Sequence, residues 1–246
     1  MKRLIAFLCA ALLAGAAFAQ EKLYVTNQDT RIGIAFKVPE ATLKKLIPAG
    51  WESNPAASGA NLNMTMVDGV SSQDPEGKPA RPNTGVAVSI PVKKTGSSEA
   101  GPMVVAGLFM PHYAPGAYGV FLPAKVSIDR KLRTDAEGRT TADETWDLKS
   151  EDGHSIRIHV AYVRGAPTRG KTETKVYSGA KPEFFRIYRV ELGTDVVRGG
   201  AGGDRVKAYS LKATGPKLAS IFDGKEQVVA ITAIPWYSRA VYLPTM

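Results

Sequence analysis

Lys125 and Glu144 are the first candidates for chemistry, because each is a titratable residue in a strand-like segment. A lysine becomes a nucleophile near neutral pH when an apolar environment or a neighbouring cation lowers its pKa. Lys125 ends a loop rich in Gly, Pro and aromatic residues, residues 115–125, and then alternates with Val126 and Ile128. Its own face of that strand is polar. An imine-forming lysine and a solvated lysine are therefore both compatible with the pattern.

Glu144 is unusual because it shares an apolar face with Ala142, Trp146 and Leu148. A carboxylate in that position is either buried and paired or placed at a functional site. Asp68 continues a second apolar face and has the same two interpretations. Neither carboxylate belongs to a metal-binding motif.

The histidines, His112, His154 and His159, have no metal-ligand spacing, and the chain has no H-E-x-x-H or G-x-S-x-G motif. His159 alternates with Arg157 on the polar face of a strand, which is typical of a solvent-facing side chain. No metal site is predicted.

Period-two alternation predicts the elements that must position these residues. The predicted strands are residues 32–38, 62–66, 86–90, 103–110, 126–133, 140–148, 156–162, 184–192 and 228–236. Only two segments, residues 39–47 and 216–222, begin with proline and have apolar residues at helical spacing. Many strands, few helices and no internal repeat predict one β-rich domain of barrel or sandwich type.

Residues 1–19 have the three parts of a secretory signal peptide: a cationic start, a short apolar run and an A-x-A cleavage site. The apolar run is shorter than the roughly 20 residues that span a bilayer. We therefore expect cleavage after Ala19, no transmembrane segment afterwards, and an exported domain of residues 20–246. In a Gram-negative host that domain would be periplasmic.

Composition narrows the chemistry further. Cys9, the only cysteine, lies in the predicted signal peptide, so neither a disulfide nor a thiol nucleophile is expected in the exported domain. The absence of G-x-G-x-x-G and Walker motifs argues against a nucleotide, and no cofactor is expected. The net charge of +9 favours anionic ligands or anionic membrane surfaces, whereas scattered Lys and Arg argue against nucleic acid. A homo-oligomer is compatible with this composition.

Several short motifs occur in an order that resembles the acetoacetate decarboxylase family. They are the strand and helix of residues 34–48, M-T-M-V-D at residues 64–68, S-I-P-V at residues 89–92, the loop of residues 119–125 and the last strand, residues 231–244. The resemblance implies a single cone-shaped, mostly antiparallel β-barrel with a few short helices. It also implies an enclosed cavity and cofactor-free Schiff-base decarboxylation of a 3-oxo acid.

The resemblance also assigns positions within the site. In the family, a proline precedes two lysines, of which the first forms the Schiff base and the second lowers its pKa. Here Ala124 takes the first position and Lys125 the second, while the cavity arginine corresponds to Lys37. Two cavity glutamates correspond to Leu62 and Gly85. The usual nucleophile is thus replaced, and Lys125 is the remaining candidate for an imine.

Three functions fit these observations. The first is an exported lyase of decarboxylase or aldolase type with a cavity for a small oxo acid or related organic anion, using Lys125 and Glu144. The second is a non-catalytic periplasmic binding protein for a small apolar or anionic ligand. The third is a basic, envelope-associated interaction protein. Substrate contacts are predicted at one cation and four apolar residues, Lys37, Leu62, Met64, Met66 and Phe121.

Overall fold

The computed structural model describes residues 21–244, in which fourteen strands and two short helices are formed. The strands are β1 (Lys22–Lys37), β2 (Trp51–Ser53), β3 (Leu62–Gln73), β4 (Pro79–Ala80), β5 (Gly85–Lys94), β6 (Ala100–Phe109), β7 (Phe121–Pro123), β8 (Lys125–Thr134), β9 (Thr140–Lys149), β10 (Ser155–Val163), β11 (Thr168–Ser178), β12 (Phe185–Arg198), β13 (Val206–Thr214) and β14 (Gln227–Leu243). The helices are α1 (Glu40–Leu43) and α2 (Pro216–Ile221). The predicted signal peptide lies outside the described residues.

Seven strands in this part of the chain close into a ring in the order β5, β3, β1, β14, β12, β11 and β6, with β6 pairing back to β5. Every neighbouring pair in the ring is antiparallel except β6 and β11, which run parallel. The ladder of that parallel pair consists of Tyr177 opposite Met103 and Ser178 opposite Val104. The short strands β2, β4 and β7 extend β5, β3 and β6.

A second sheet, antiparallel in the order β13, β10, β9 and β8, covers part of the outside of the ring. The main core lies between the two sheets. Apolar residues of β1, β3 and β5 at alternate positions meet Trp146 and Ile158 of the second sheet there. Period-two alternation places one face of β1, β3 and β5 in this core and the opposite face inside the ring.

The predicted β-rich, mostly antiparallel fold with few short helices is confirmed. Both helices are shorter than the helical spacing of their apolar residues predicts. After Leu43 the chain forms turns instead, in which the backbone N–H groups of Leu46 and Ile47 donate hydrogen bonds to the Leu43 carbonyl. Five strands were not predicted: the short strands β2, β4 and β7 and the longer strands β11 and β13. Within residues 21–244, neither helix is long and apolar enough to cross a membrane.

Candidate functional site

The interior of the ring contains a cavity of about 310 Å³ that receives side chains from all seven ring strands. On β1 the inward-facing residues are Asn27, Asp29 and Arg31, whereas Ile32 and Ile34 on the opposite face lie in the core. The strand pattern therefore places charged groups inside a closed sheet, where burial makes electrostatic interactions stronger than at the surface.

Arg31 is held on two sides within the cavity. Its Nη2 lies 2.5 Å from Oδ2 of Asp29, and both side chains are nearly buried. Its Cζ lies 3.4 Å from the centroid of the Tyr237 ring, a cation–π contact between β1 and β14. Its Nε–H is buried without a hydrogen-bond partner in the described part of the chain.

Arg239, on β14, is the second cation of the cavity. Its Nη2 donates a hydrogen bond of 3.1 Å to Oδ1 of Asn27, and its Cζ lies 4.5 Å from the centroid of the Tyr188 ring. Burial works against its charge, but the nearby Tyr188, Tyr237 and Asp29 outweigh that effect and raise the pKa of Arg239. Its Nε–H, like that of Arg31, is buried and has no partner among residues 21–244.

Three phenols complete the polar part of the wall. The hydroxyl groups of Tyr118 and Tyr188 form a hydrogen bond with each other. Burial, followed by the effect of Tyr188, raises the pKa of Tyr113 and raises that of Tyr118 further. These two phenols therefore remain protonated at neutral pH and are able to donate hydrogen bonds to an anion.

The rest of the wall combines short polar side chains with apolar surface. Asn63, Thr65 and Ser89 line one side, on β3 and β5. Phe109 and Phe121 line another side, with ring centroids 4.4 Å apart. Such a mixture of convergent polar groups and apolar surface is characteristic of small-molecule sites.

Lys125 and Lys37 lie outside this cavity. Lys125 begins β8 in the outer sheet, opposite Lys149, and both side chains are exposed. Lys37 is exposed at the last residue of β1, six positions beyond Arg31. Ala124 is buried, and its N–H donates a hydrogen bond of 2.8 Å to the Phe109 carbonyl. Among the residues that the structure describes, none of those lining the cavity is a lysine.

The predicted apolar contacts divide between the two faces of the ring. Leu62, Met64 and Met66 are completely buried in the core between the sheets, not in the cavity wall. Phe121 does line the cavity. Gly85 belongs to the inward face, where a Cβ would lie 2.5 Å from Cγ of Phe109, so the Phe109 ring occupies the space that a longer side chain would need.

Glu144 lies in the interface between the ring and the outer sheet. Its Oε2 accepts hydrogen bonds from Nε of Arg130 at 3.0 Å and from Nε1 of Trp146 at 3.2 Å. Arg130 also binds Oδ2 of Asp68 at 3.0 Å, which connects β8 to β3. Burial lowers the pKa of Arg130, but its pairing with Glu144 and Asp68 raises it overall. Glu144 and Asp68 are therefore brought together by one arginine.

The histidines lie apart from one another. His159 pairs with Asp143 and His154 with Asp152, whereas His112 contacts the Pro82 carbonyl at 3.0 Å. Over residues 21–244, no three His, Asp or Glu side chains are arranged so that they could hold a metal ion.

The charged centre of the cavity, Arg31, Arg239 and Asp29, was not among the predicted site residues. Arg31 precedes the strand that alternation predicts over residues 32–38, and Arg239 follows the one that alternation predicts over residues 228–236. The usable signal was the alternation of polar or charged residues, Asn27, Asp29 and Arg31, which continues the inward face of that strand.

This closed ring of strands, with a second sheet against its outer face, resembles the fold of acetoacetate decarboxylase-like enzymes. One such enzyme, from Sphingomonas wittichii RW1, is similar to the chain with a TM-score of 0.56 and 14% identity, over 98% of this chain and 99% of that enzyme. The predicted resemblance is thereby confirmed for the fold.

Two further solved structures are similar. The enduracididine biosynthesis enzyme MppR, complexed with pyruvate, gives a TM-score of 0.54 at 9% identity, over 92% of this chain and 91% of MppR. Acetoacetate decarboxylase from Legionella pneumophila gives 0.50 at 13% identity, over 90% of this chain and 85% of the enzyme. No model of a known protein family matches the chain, and no curated protein matches its sequence.

Proposed function

We propose that this protein binds a small organic anion inside the ring, without a covalent bond to lysine. The observation that carries the proposal is the pair Arg31 and Arg239, each with a buried Nε–H that has no partner in the described part of the chain. A buried guanidinium with an unused donor is costly unless another group satisfies it. A carboxylate would do so, and it matches the planar donor geometry of arginine.

The charges of the wall favour an anion. Two arginines face a single carboxylate, Asp29, among the described residues that line the cavity. The protonated phenols of Tyr113 and Tyr118 add hydrogen-bond donors near the same space. Because this arrangement has an excess of donors and of positive charge, a neutral or cationic ligand would leave it unsatisfied.

The volume and the apolar part of the wall indicate a small ligand. A cavity of about 310 Å³ lies at the lower end of the range for ligand sites, roughly 300–1,000 Å³. Phe109 and Phe121 would contact its carbon skeleton. Oxo acids fit this description, and one of the similar structures, MppR, is complexed with pyruvate.

Non-covalent binding is favoured over a Schiff-base lyase by the position of Lys125. An imine requires a lysine that reaches the ligand and loses its proton near neutral pH. The exposed Lys125 lies in the outer sheet, outside the cavity wall. Borohydride reduction in the presence of pyruvate or acetoacetate distinguishes the two functions, because only an imine leaves a stable added mass on lysine.

Isothermal titration calorimetry with pyruvate and acetoacetate tests binding directly. Arg239→Gln should weaken the affinity at least tenfold, since hydrogen bonds to charged groups are worth about 1.5–3 kcal/mol. Arg157→Gln is the matched control, because Arg157 is exposed on the outer sheet and pairs only with Asp147. Equal affinities of both variants for either acid would contradict the proposal, as would a reduced imine in the borohydride experiment.

Export is a second part of the proposal and rests on residues 1–19 of the sequence. Expression of the full chain in a Gram-negative host, followed by fractionation and N-terminal sequencing, should give a periplasmic protein that begins at Gln20. Recovery of the uncleaved chain from the cytoplasm would contradict it.

A further inference from the structure

A second chamber, also lined by arginine side chains, adjoins the ring cavity. It has a volume of about 500 Å³ and shares Asn27, Asn83, Tyr113 and Arg239 with the first cavity. These four residues form the common wall, so an elongated ligand could contact both spaces. We propose that the ligand is an organic dianion with one oxyanion in each chamber, an inference that rests on the proposed function.

The charge of the second chamber supports this proposal. Arg81, Arg186 and Arg239 line it, and no Asp or Glu is present among its described lining residues. None of the three arginines forms an ion pair within residues 21–244, although the same chain contains many ion-paired surface arginines, such as Arg139 and Arg169. The chamber thus has three positive charges and no carboxylate to balance them.

Arg186 shows that this charge is not simply solvated. The residue is 9% exposed, and its Nε–H is buried without a partner in the described part of the chain. Its Cζ lies 4.3 Å from the centroid of the Tyr24 ring, which holds the guanidinium by a cation–π contact. A buried cation stabilised only by an aromatic face retains unused donors, and an oxyanion would satisfy them.

The strand register gives the distance between Arg239 and Arg186 along the strands. Arg239 lies opposite Val190 in the ladder between β14 and β12, and Arg186 is four residues before Val190. At about 3.3 Å per residue, the two arginines are about 13 Å apart along the strands. Both side chains line the second chamber, and Arg239 also lines the first cavity, so a ligand with a chain of several carbons would contact both arginines.

Three probes with six-carbon chains test the inference: hexanoate, adipate and 6-phosphonohexanoate. They have the same chain length but differ in the second oxyanion, which is absent, a carboxylate or a phosphonate. Calorimetry should show at least tenfold tighter binding of one or both dianions than of hexanoate. The tighter of the two dianions identifies which oxyanion the second chamber takes.

Variants locate the second oxyanion. Arg186→Gln should remove the preference for the dianions and leave the affinity for hexanoate within twofold. Arg81→Gln, at an exposed position where a folding defect is not expected, should reduce the same preference by at least threefold. Arg157→Gln on the outer sheet is the matched control and should leave all three affinities unchanged.

Failure of this inference is distinguishable from failure of the proposed function. If hexanoate binds as tightly as both dianions, the inference of a second oxyanion is overturned and the proposed function stands. The same holds if neither Arg186→Gln nor Arg81→Gln alters the preference for dianions over hexanoate. If none of the three probes binds and neither pyruvate nor acetoacetate does, both are overturned.

Discussion

The guanidinium carbon Cζ of Arg31 lies 3.4 Å from the centroid of the Tyr237 ring, while Asp29 binds Nη2 of the same side chain. Two neighbouring ring strands, β1 and β14, thus fix one cation from both sides. A desolvated cation–π contact is worth about 2 kcal/mol or more. Because the protein itself orients this side chain, less conformational freedom is lost when an anion binds.

Removal of Arg31 alone should destabilise the protein more than removal of the whole ion pair. Arg31→Gln leaves the buried Asp29 unpaired, which costs about 3–5 kcal/mol. Asp29→Asn combined with Arg31→Gln removes both charges and should recover most of that loss. Urea unfolding measures the difference, and equal stabilities of the single and double variants would contradict it.

Arg239 should matter more for binding than for the stability of the empty protein. Arg239→Met removes an unsatisfied buried Nε–H donor, but it also removes the hydrogen bond to Asn27 and the contact with the Tyr188 ring. Because these effects oppose each other, we expect the stability of the empty protein to change by no more than about 1 kcal/mol, whereas measurable binding of the anion is lost. Thermal unfolding and calorimetry measure the two effects, and a variant that binds normally would contradict the role of Arg239.

The cavity phenols predict a loss of stability in base. The raised pKa values of Tyr113 and Tyr118 in the folded state stabilise it fully below pH 10.0, their ordinary value. Above that pH the unfolded chain releases these protons first, so the contribution is lost as the pH rises through the folded-state values. Tyrosinate absorbance should therefore rise together with unfolding. In a Tyr113→Phe, Tyr118→Phe variant, the alkaline transition should move to higher pH, and an unmoved transition would contradict this origin.

Glu144 should matter for stability and not for binding. Glu144→Ala leaves Arg130 and Trp146 without their buried acceptor and should cost about 3 kcal/mol. Asp143→Asn, at the adjacent exposed position that pairs with His159, should change stability by no more than about 0.5 kcal/mol. Affinity for the anion, measured by calorimetry, should remain the same in both variants. A loss of binding with Glu144→Gln would instead support a functional role.

Lys125 should be dispensable. Because its side chain is exposed on the outer sheet, Lys125→Ala should leave both stability and anion affinity unchanged. Calorimetry and urea unfolding of this variant beside Lys149→Ala, its exposed cross-strand neighbour, provide the comparison. A specific loss of affinity with Lys125→Ala would revive the imine hypothesis.

The alternation of Leu62, Met64 and Met66 showed correctly that one face of β3 is buried. It did not show which side of a closed sheet that face meets. A ring has two buried sides, and here the apolar side faces the outer sheet while Asn63 and Thr65 face the cavity. Periodicity reports burial, whereas the choice between interior and exterior depends on long-range pairing that a local pattern does not contain.

The two longer strands that were not predicted, β11 and β13, were missed for a related reason. In β11, residues 168–175 are almost all polar and mostly exposed, so the segment shows no apolar alternation although it pairs with β12 along its length. In β13, Tyr209 and Leu211 alternate with Lys and Ser but are only partly buried. Strands at such positions are held by backbone hydrogen bonds to neighbouring strands, and their side chains give little indication of this pairing.

A closed ring can be entirely antiparallel only if it has an even number of strands. A ring of seven strands must therefore contain at least one parallel pair. Here that pair is β6 and β11, with the shortest ladder in the ring, Tyr177 opposite Met103 and Ser178 opposite Val104. The pair β6 and β11 therefore has the fewest interstrand backbone hydrogen bonds to break. Backbone pairing therefore contributes least to the closure of the cavity wall between β6 and β11.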